Sequence, residues 1–91
     1  MAKIALWLKV EGGQVASALR EAGETLDTAG GEVVLDLSSV HRVDPEALRA
    51  MDEFVEAAGD KGVKVALHGV SVDVYRVLKL AKLTPRFIFV G

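Results

Sequence analysis

Residues 32–67, EVVLDLSSVHRVDPEALRAMDEFVEAAGDKGVKVAL, decide the fold, because two apolar runs enclose an amphipathic segment. The runs EVVLDL at 32–37 and VKVAL at 63–67 are short and rich in β-branched residues, which predicts two strands. The segment between them carries one apolar stripe at helical spacing, formed by Leu48, Met51, Phe54, Val55 and Ala58. Two strands joined by a helical crossover lie parallel in one sheet.

The start of this helix has the clearest signals in the chain. Asp44 is a favoured N-cap, because its carboxylate accepts an unpaired backbone N–H of the first turn. Pro45 follows at the first helical position, where no N–H is needed, and Glu46 meets the positive end of the helix dipole. Gly59 and Gly62 bracket the end of the helix. The sequence therefore predicts a rigid helix start near the middle of the chain.

The segment before residue 32 repeats the strand–helix order. KIALWLKV at 3–10 alternates apolar and polar residues, which predicts a half-buried strand. Apolar residues then recur every three or four positions, which predicts a helix from about residue 14 to 28, stopped by Gly30 and Gly31.

The segment after residue 67 is less clear at first. SVDVYRVLKLAKL at 71–83 begins with alternating valines, like a strand, but its later apolar residues fit helical spacing better. We predict a helix there that Pro85 ends, followed by a short last strand, RFIFV, at 86–90.

The predicted elements form a small α/β domain with a mainly parallel sheet, and we expect residues 1–91 to be one domain. One sheet face is apolar, whereas the other is predicted to carry Lys3, Trp7, Lys9, Glu32, Val34, Asp36, Lys64, Ala66 and His68. A doubly wound sheet needs two apolar faces. We therefore expect three helices on one face, with the other open to water or to a partner.

Composition excludes several classes of protein. A formal net charge of −2 argues against a dedicated nucleic-acid binder. No apolar run approaches the about 20 residues that span a bilayer, and the first residues lack the pattern of a signal peptide, so we expect no membrane insertion. The absence of cysteine excludes disulfides and thiolate zinc sites and favours a reducing, cytoplasmic location.

Four stretches together resemble the STAS domain, the module of bacterial anti-sigma-factor antagonists, stressosome subunits and the cytoplasmic tails of anion transporters. They are DLSSV at 36–40, VDxxxL at 43–48, GVKVALHGV at 62–70 and LxKL at 80–83. The resemblance extends over about residues 4 to 83. It implies a mixed, mainly parallel sheet wound with its helices as one superhelix. It also implies a regulatory, protein-binding role without catalysis or cofactor.

The chain departs from this family at the helix start. Antagonists of the family carry a motif resembling Asp-Ser-Ser-Gly-Leu there, and a partner kinase phosphorylates one hydroxyl. Aligned on Asp44 and Leu48, this chain has Pro45, Glu46 and Ala47, so Glu46 stands at the phosphorylated position. Glu46 either mimics the modified state, with −1 charge against about −1.5 to −2 for a phosphate, or only starts the helix. We favour the second interpretation, because every residue here has a sufficient local reason.

The resemblance places a partner-binding surface around this helix start. Its predicted residues are His41, Arg42, Asp44, Pro45, Glu46, Ala47, Arg49, Asp52 and Glu53. Residues 44–61 hold six acidic and two basic side chains, net −4, whereas residues 71–91 hold one acidic and four basic, net +3. Either the acidic and the basic helix attract one another, or the acidic side chains of residues 44–61 bind a basic groove of the partner.

The resemblance also limits the choice of partner. An anti-sigma factor, a kinase or a larger signalling assembly is the first expectation, and the ATPase of a lipid-transporting ABC transporter is the alternative. The family usually begins with one more strand, so the first strand here is expected to be a bare edge on which a homodimer can form. Trp7 either anchors a partner or is covered by lysine stems.

Candidate catalytic and metal-binding residues indicate a function less clearly. Asp36, Asp44 and Glu46 could converge as a metal or acid–base cluster, which is the enzymatic alternative. His41 and His68 have no second ligand at i+4 and are expected to be solvent-exposed. No glycine-rich phosphate motif is present. We expect no metal and no enzymatic activity.

Overall fold

A computed structural model of the chain describes residues 4–24 and 31–90. The strands are β1 (Ile4–Lys9), β2 (Glu32–Asp36), β3 (Lys64–His68) and β4 (Ile88–Val90). The helices are α1 (Val15–Glu24), α2 (Pro45–Asp60) and α3 (Val72–Leu80), with a short 3-10 helix (Thr84–Arg86) before β4. Strand and helix alternate as predicted.

The four strands lie in the order β1-β2-β3-β4, and all three neighbouring pairs are parallel. The predicted small, mainly parallel sheet is therefore confirmed. The register places Trp7, Val34, Ala66 and Ile88 in one row across the sheet. Within the described residues, 4–24 and 31–90, no two strands pair antiparallel.

The hydrophobic core lies on one face of the sheet. Val33 and Leu35 of β2 and Val65 and Leu67 of β3 belong to the same buried cluster as the inner residues of all three helices. The helical members of this cluster are Val15, Leu19, Ala22, Ala47, Ala50, Met51, Phe54, Val55, Ala58, Val74 and Leu78. The expected arrangement of three helices on one face is therefore confirmed.

One predicted helix runs past the described residues, and another ends earlier than predicted. α1 is described to Glu24, and the predicted continuation to residue 28 lies outside the described residues. The prediction that Pro85 ends the last helix is wrong, because α3 ends at Leu80. Lys82 takes a left-handed conformation, φ 61°, and the N–H of Leu83 donates to the carbonyl of Leu78 at 2.9 Å. This closure usually uses glycine, so a lysine at this position does not signal a helix end.

The sheet face opposite the helices is less polar than predicted. The rings of Trp7 and His68 lie 5.1 Å apart between centroids, although β2 separates their strands. Since neighbouring strands lie about 4.8 Å apart, the indole must extend across β2. Val34 and Ala66, predicted to be outward, are buried on this face, and His68 is half-buried rather than solvent-exposed.

Candidate protein-binding site

The candidate site lies at the C-terminal ends of the strands, because parallel strands bring the loops that follow them to the same end of the sheet. A Cβ on Gly12, in the β1–α1 loop, would lie 2.7 Å from the carbonyl oxygen of Ser39 in the β2–α2 loop. A Cβ on Gly69, after β3, would lie 2.9 Å from the Cβ of Ser38, and Gly69 also has φ +71°. The two glycines thus let the outer loops contact the middle loop closely.

The middle loop is also fixed from within. Asp36 accepts a hydrogen bond at Oδ1 from the N–H of Ser38 at 3.0 Å. Hydrogen bonds from the Ser38 side chain and backbone lower the pKa of Asp36, and the charges of His68 and Lys9 lower it further. Asp36 therefore serves the turn. In the part of the chain that the structure describes, no three His, Asp or Glu side chains are grouped so that they could hold a metal ion.

The start of α2 has the predicted cap. Asp44 is extended, with φ −84° and ψ 173°, and its Oδ1 accepts the N–H of Ala47 at 2.7 Å, while Pro45 occupies the first turn. Glu46 projects from the same turn with 65% of its side chain exposed. Ala47, which was placed on the partner-binding surface, is buried in the core, so its side chain is not part of that surface.

Glu46 has a partner that the sequence did not reveal. Nη2 of Arg20, on α1, donates to Oε1 of Glu46 at 3.3 Å. Both side chains are about two thirds exposed, so this ion pair contributes at most about 1 kcal/mol to stability. The sequence did indicate that the starts of α1 and α2 lie close together, because helices that follow neighbouring parallel strands begin at the same end of the sheet. The sequence did not show which α1 side chain would reach Glu46.

A shallow cleft of about 220 Å³ lies between the starts of α1 and α2. We call this surface the tip and define it by Gly12, Gln14, Arg20, Arg42, Asp44 and Glu46. Its two arginines and two carboxylates sum to zero charge. A partner that matches the tip must therefore present groups of both signs.

Sequence comparison decides the family. A family model described as the MlaB STAS domain matches residues 12–88. The chain belongs to the STAS domain family. The comparison with curated proteins found no relative.

Solved structures share the fold of this STAS domain. The crystal structure of a candidate anti-sigma factor antagonist from Thermotoga maritima aligns with TM-score 0.72 and 19% identity, over 98% of this chain and 83% of that one. The NMR structure of the same protein gives 0.77 and 19%, over 99% and 78%. A sulfate transporter family protein from Wolinella succinogenes gives 0.78 and 21%, over 98% and 80%. At these identities the similarity establishes the fold alone.

The remaining predicted surface residues of the STAS domain lie along α2 and the loop before it. His41, Arg42, Arg49 and Glu53 are exposed. Asp52 is half-buried, and its Oδ1 accepts from Nη1 of Arg86 in the 3-10 helix at 3.0 Å. The charge of Asp52 is thus paired within the chain. This favours attraction between α2 and the basic C-terminal segment over an acidic surface that is free to bind a partner. None of the helices within residues 4–24 and 31–90 has both the length and the hydrophobicity of a membrane-spanning segment.

Proposed function

We propose that this STAS domain, residues 1–91, is a non-catalytic protein-binding module of bacterial signalling that acts in the cytoplasm without a cofactor. Its partner is an anti-sigma factor, a kinase or a larger signalling assembly. One observation carries the proposal: the start of α2 is exposed, and Glu46 is paired there with Arg20. The resemblance aligns Glu46 with the position that the family phosphorylates. That position offers no hydroxyl to a kinase.

The rigid structure of the tip supports binding with only a small loss of conformational entropy. The Asp44 cap and Pro45 fix the helix start, and the close approaches at Gly12 and Gly69 fix the loop before it. A preordered surface loses less conformational entropy when it binds. The proposed contact residues are His41, Arg42, Asp44, Pro45, Glu46, Arg49, Asp52 and Glu53, with Ala47 supporting them from the core.

The charge of the tip bears on what Glu46 does. A phosphate mimic must add net negative charge, but Arg20 lies against the Glu46 carboxylate and balances it. The tip as a whole is neutral. This supports a surface that resembles the unmodified state of the family, with a carboxylate that starts the helix and joins it to α1. Binding is then constitutive rather than switched by a kinase.

Co-purification from native cells with the tagged full chain tests this site. Glu46→Lys places a cation beside Arg20 and Arg42, so the neutral tip gains a net positive charge and partner recovery should fall at least about tenfold. Glu56→Lys makes the same change at an exposed position further along α2 and should leave recovery unchanged. Equal recovery by both variants would contradict the proposed site.

Phosphorylation gives a second test. We expect a kinase of STAS antagonists to leave the wild-type chain unmodified, and Glu46→Ser to create an acceptor that mass spectrometry detects. Phosphate on Ser38 or Ser39 of the wild-type chain, in the loop before α2, would refute the constitutive role.

A second candidate function is a cytoplasmic accessory subunit of an ABC transporter for lipids. The description of the matching family model favours it, because that model is of the MlaB type and not of the antagonists. The same co-purification separates the two: an ATPase with its membrane partner supports the accessory subunit, whereas soluble regulators support the first proposal.

A further inference from the structure

The sheet face opposite the helices exposes apolar side chains that the tip does not use. Trp7 is 50% exposed, Ile88 42% and Val90 38%. We call this surface the open face and define it by Trp7, Lys9, Glu32, Val34, Asp36, Lys64, Ala66, His68, Ile88 and Val90. None of the described helices covers it, because all three pack on the other face.

The strand register arranges the open face in rows. The central row is apolar and contains Trp7, Val34, Ala66 and Ile88, one from each strand in order. On one side of this row, Glu32 of β2 lies beside Lys64 of β3. On the other side, Asp36 of β2 lies beside His68 of β3. In both flanking rows, then, β2 presents a carboxylate and β3 a basic group, and Lys9 of β1 lies on the other side of Asp36.

We propose that the open face docks against a second copy of this chain, face to face, about a two-fold axis parallel to the strands between β2 and β3. Such an axis places β1 on the partner's β4 and β2 on the partner's β3, at equal height along the strands. Ile88 then meets the partner's β1, and the indole of Trp7, which extends over β2, meets the partner's β3. The carboxylates of β2 meet the basic groups of the partner's β3, Glu32 against Lys64 and Asp36 against His68.

The charges select this axis over the other face-to-face choice. An axis across the strands would place Asp36 on the partner's Glu32, which sets two carboxylates together. Two sheets that pack face to face keep their strand directions within about 30°, so strands near the proposed axis satisfy that geometry. The contact buries Trp7, and tryptophan is a frequent energetic centre of interfaces.

Charge reversal with mixing tests the arrangement. Glu32→Lys alone and Lys64→Glu alone each set like charges together across the axis, so each variant should dimerise at least about tenfold more weakly than wild type in sedimentation velocity. In an equimolar mixture, the introduced lysine faces the introduced glutamate, and native Lys64 of one chain faces native Glu32 of the other. The mixture should therefore form heterodimers, which native mass spectrometry resolves. Because the pairing restored is between chains, altered stability within one chain cannot produce this rescue.

Control variants lie on the helical side. Glu56→Lys and Lys79→Glu reverse exposed charges on α2 and α3 and should leave the dimer unchanged, alone or mixed. Ile88→Lys should abolish the dimer, whereas Leu80→Lys, at an exposed leucine of α3, should not. Association should also shift the emission of Trp7 to shorter wavelength as concentration rises.

Three results would overturn the proposal. The wild-type chain could remain monomeric throughout a concentration series to the millimolar range. A dimer could form that neither Ile88→Lys nor the Glu32 and Lys64 variants weaken, which would indicate pairing through a strand edge instead. The charge-reversed variants could also fold, as circular dichroism would show, and still fail to associate when mixed.

Discussion

The tip and the open face are two exposed surfaces of opposite construction. At the tip, charged groups have partners in their own chain, as Asp44 has with the N–H of Ala47 and Glu46 has with Arg20. On the open face, Trp7 and Ile88 expose apolar area that only another molecule can bury. The tip therefore gains its order during folding, whereas the open face gains its stabilisation on association. Substitutions that remove a cap or a close approach at the tip should affect folding, and substitutions on the open face should affect self-association.

The largest loss of stability is expected for Gly69→Ala, about 2–3 kcal/mol in chemical denaturation. The new methyl group would both require a left-handed alanine and meet the Cβ of Ser38 at 2.9 Å. Gly62→Ala is the matched control, because Gly62 has the same φ of +71° but open space around its Cβ. It should lose about 1 kcal/mol. Equal losses would mean that the close approach of Gly69 to Ser38 does not contribute to stability.

Gly12→Ala should follow, with a loss of about 2 kcal/mol in the free energy of unfolding. Its methyl group would lie 2.7 Å from the carbonyl oxygen of Ser39, so backbone must move. Gly13→Ala adds a methyl group into open space next door and should be neutral within about 0.5 kcal/mol. If both variants unfold at the same denaturant concentration, the close approach of the two loops is not a source of stability.

Asp44→Ala should reduce stability by about 1 kcal/mol, through loss of the α2 cap. Ser71→Ala removes the matching cap of α3, where Oγ accepts the N–H of Val74 at 3.2 Å. The Asp44 bond is shorter, at 2.7 Å, and its acceptor is a carboxylate, so Asp44→Ala should cost more. Thermal unfolding of the two variants ranks them. A larger loss for Ser71→Ala would contradict the account of the tip as the more firmly fixed helix start.

Ile88→Lys tests the other half of the comparison. Because Ile88 is 42% exposed at the edge of the sheet, its replacement should change the stability of the folded chain by only about 0.5 kcal/mol. Denaturation at a concentration low enough for the monomer measures this value. A loss as large as that of Gly12→Ala would show that Ile88 supports the fold rather than an interface.

The smallest effect concerns protonation of Asp36. Its pKa is lowered, chiefly by hydrogen bonds from Ser38, so the stability that it contributes is present above the pKa of an unfolded aspartate, about 3.9. That contribution is lost as the pH falls through the lower, folded pKa. Ser38→Ala should move the carboxyl titration midpoint of Asp36 upward in NMR, whereas Ser39→Ala should not. An unchanged midpoint in Ser38→Ala would assign the lowered pKa to the backbone N–H of residue 38 and to the charges of His68 and Lys9 instead.

Much of the fold could be predicted because its signals are local. The Asp44–Pro45–Glu46 helix start depends on groups within one turn, and the structure has it as predicted. The apolar alternation of β1 and the stripe of α2 report directly which side is buried, so the parallel sheet with helices on one face followed from periodicity. The end of α3 could not be predicted, because Lys82 occupies a conformation that its residue type disfavours.

The site was harder to predict than the fold. Residue types around Asp44 indicated where the tip would lie, but Arg20 is 26 residues from Glu46 in sequence. Ala47 was placed on the surface because it lies within the motif, whereas helical rotation turns it into the core.

Local chemistry thus set the elements, their caps and the side that each one buries, since those depend on neighbours one to four residues away. Folding in three dimensions added the Arg20–Glu46 ion pair, the position of Trp7 beside His68 and the alignment of carboxylates on β2 with basic groups on β3. These contacts join segments far apart in the chain. Their geometry depends on strand register and helix packing, which no single stretch of residues encodes.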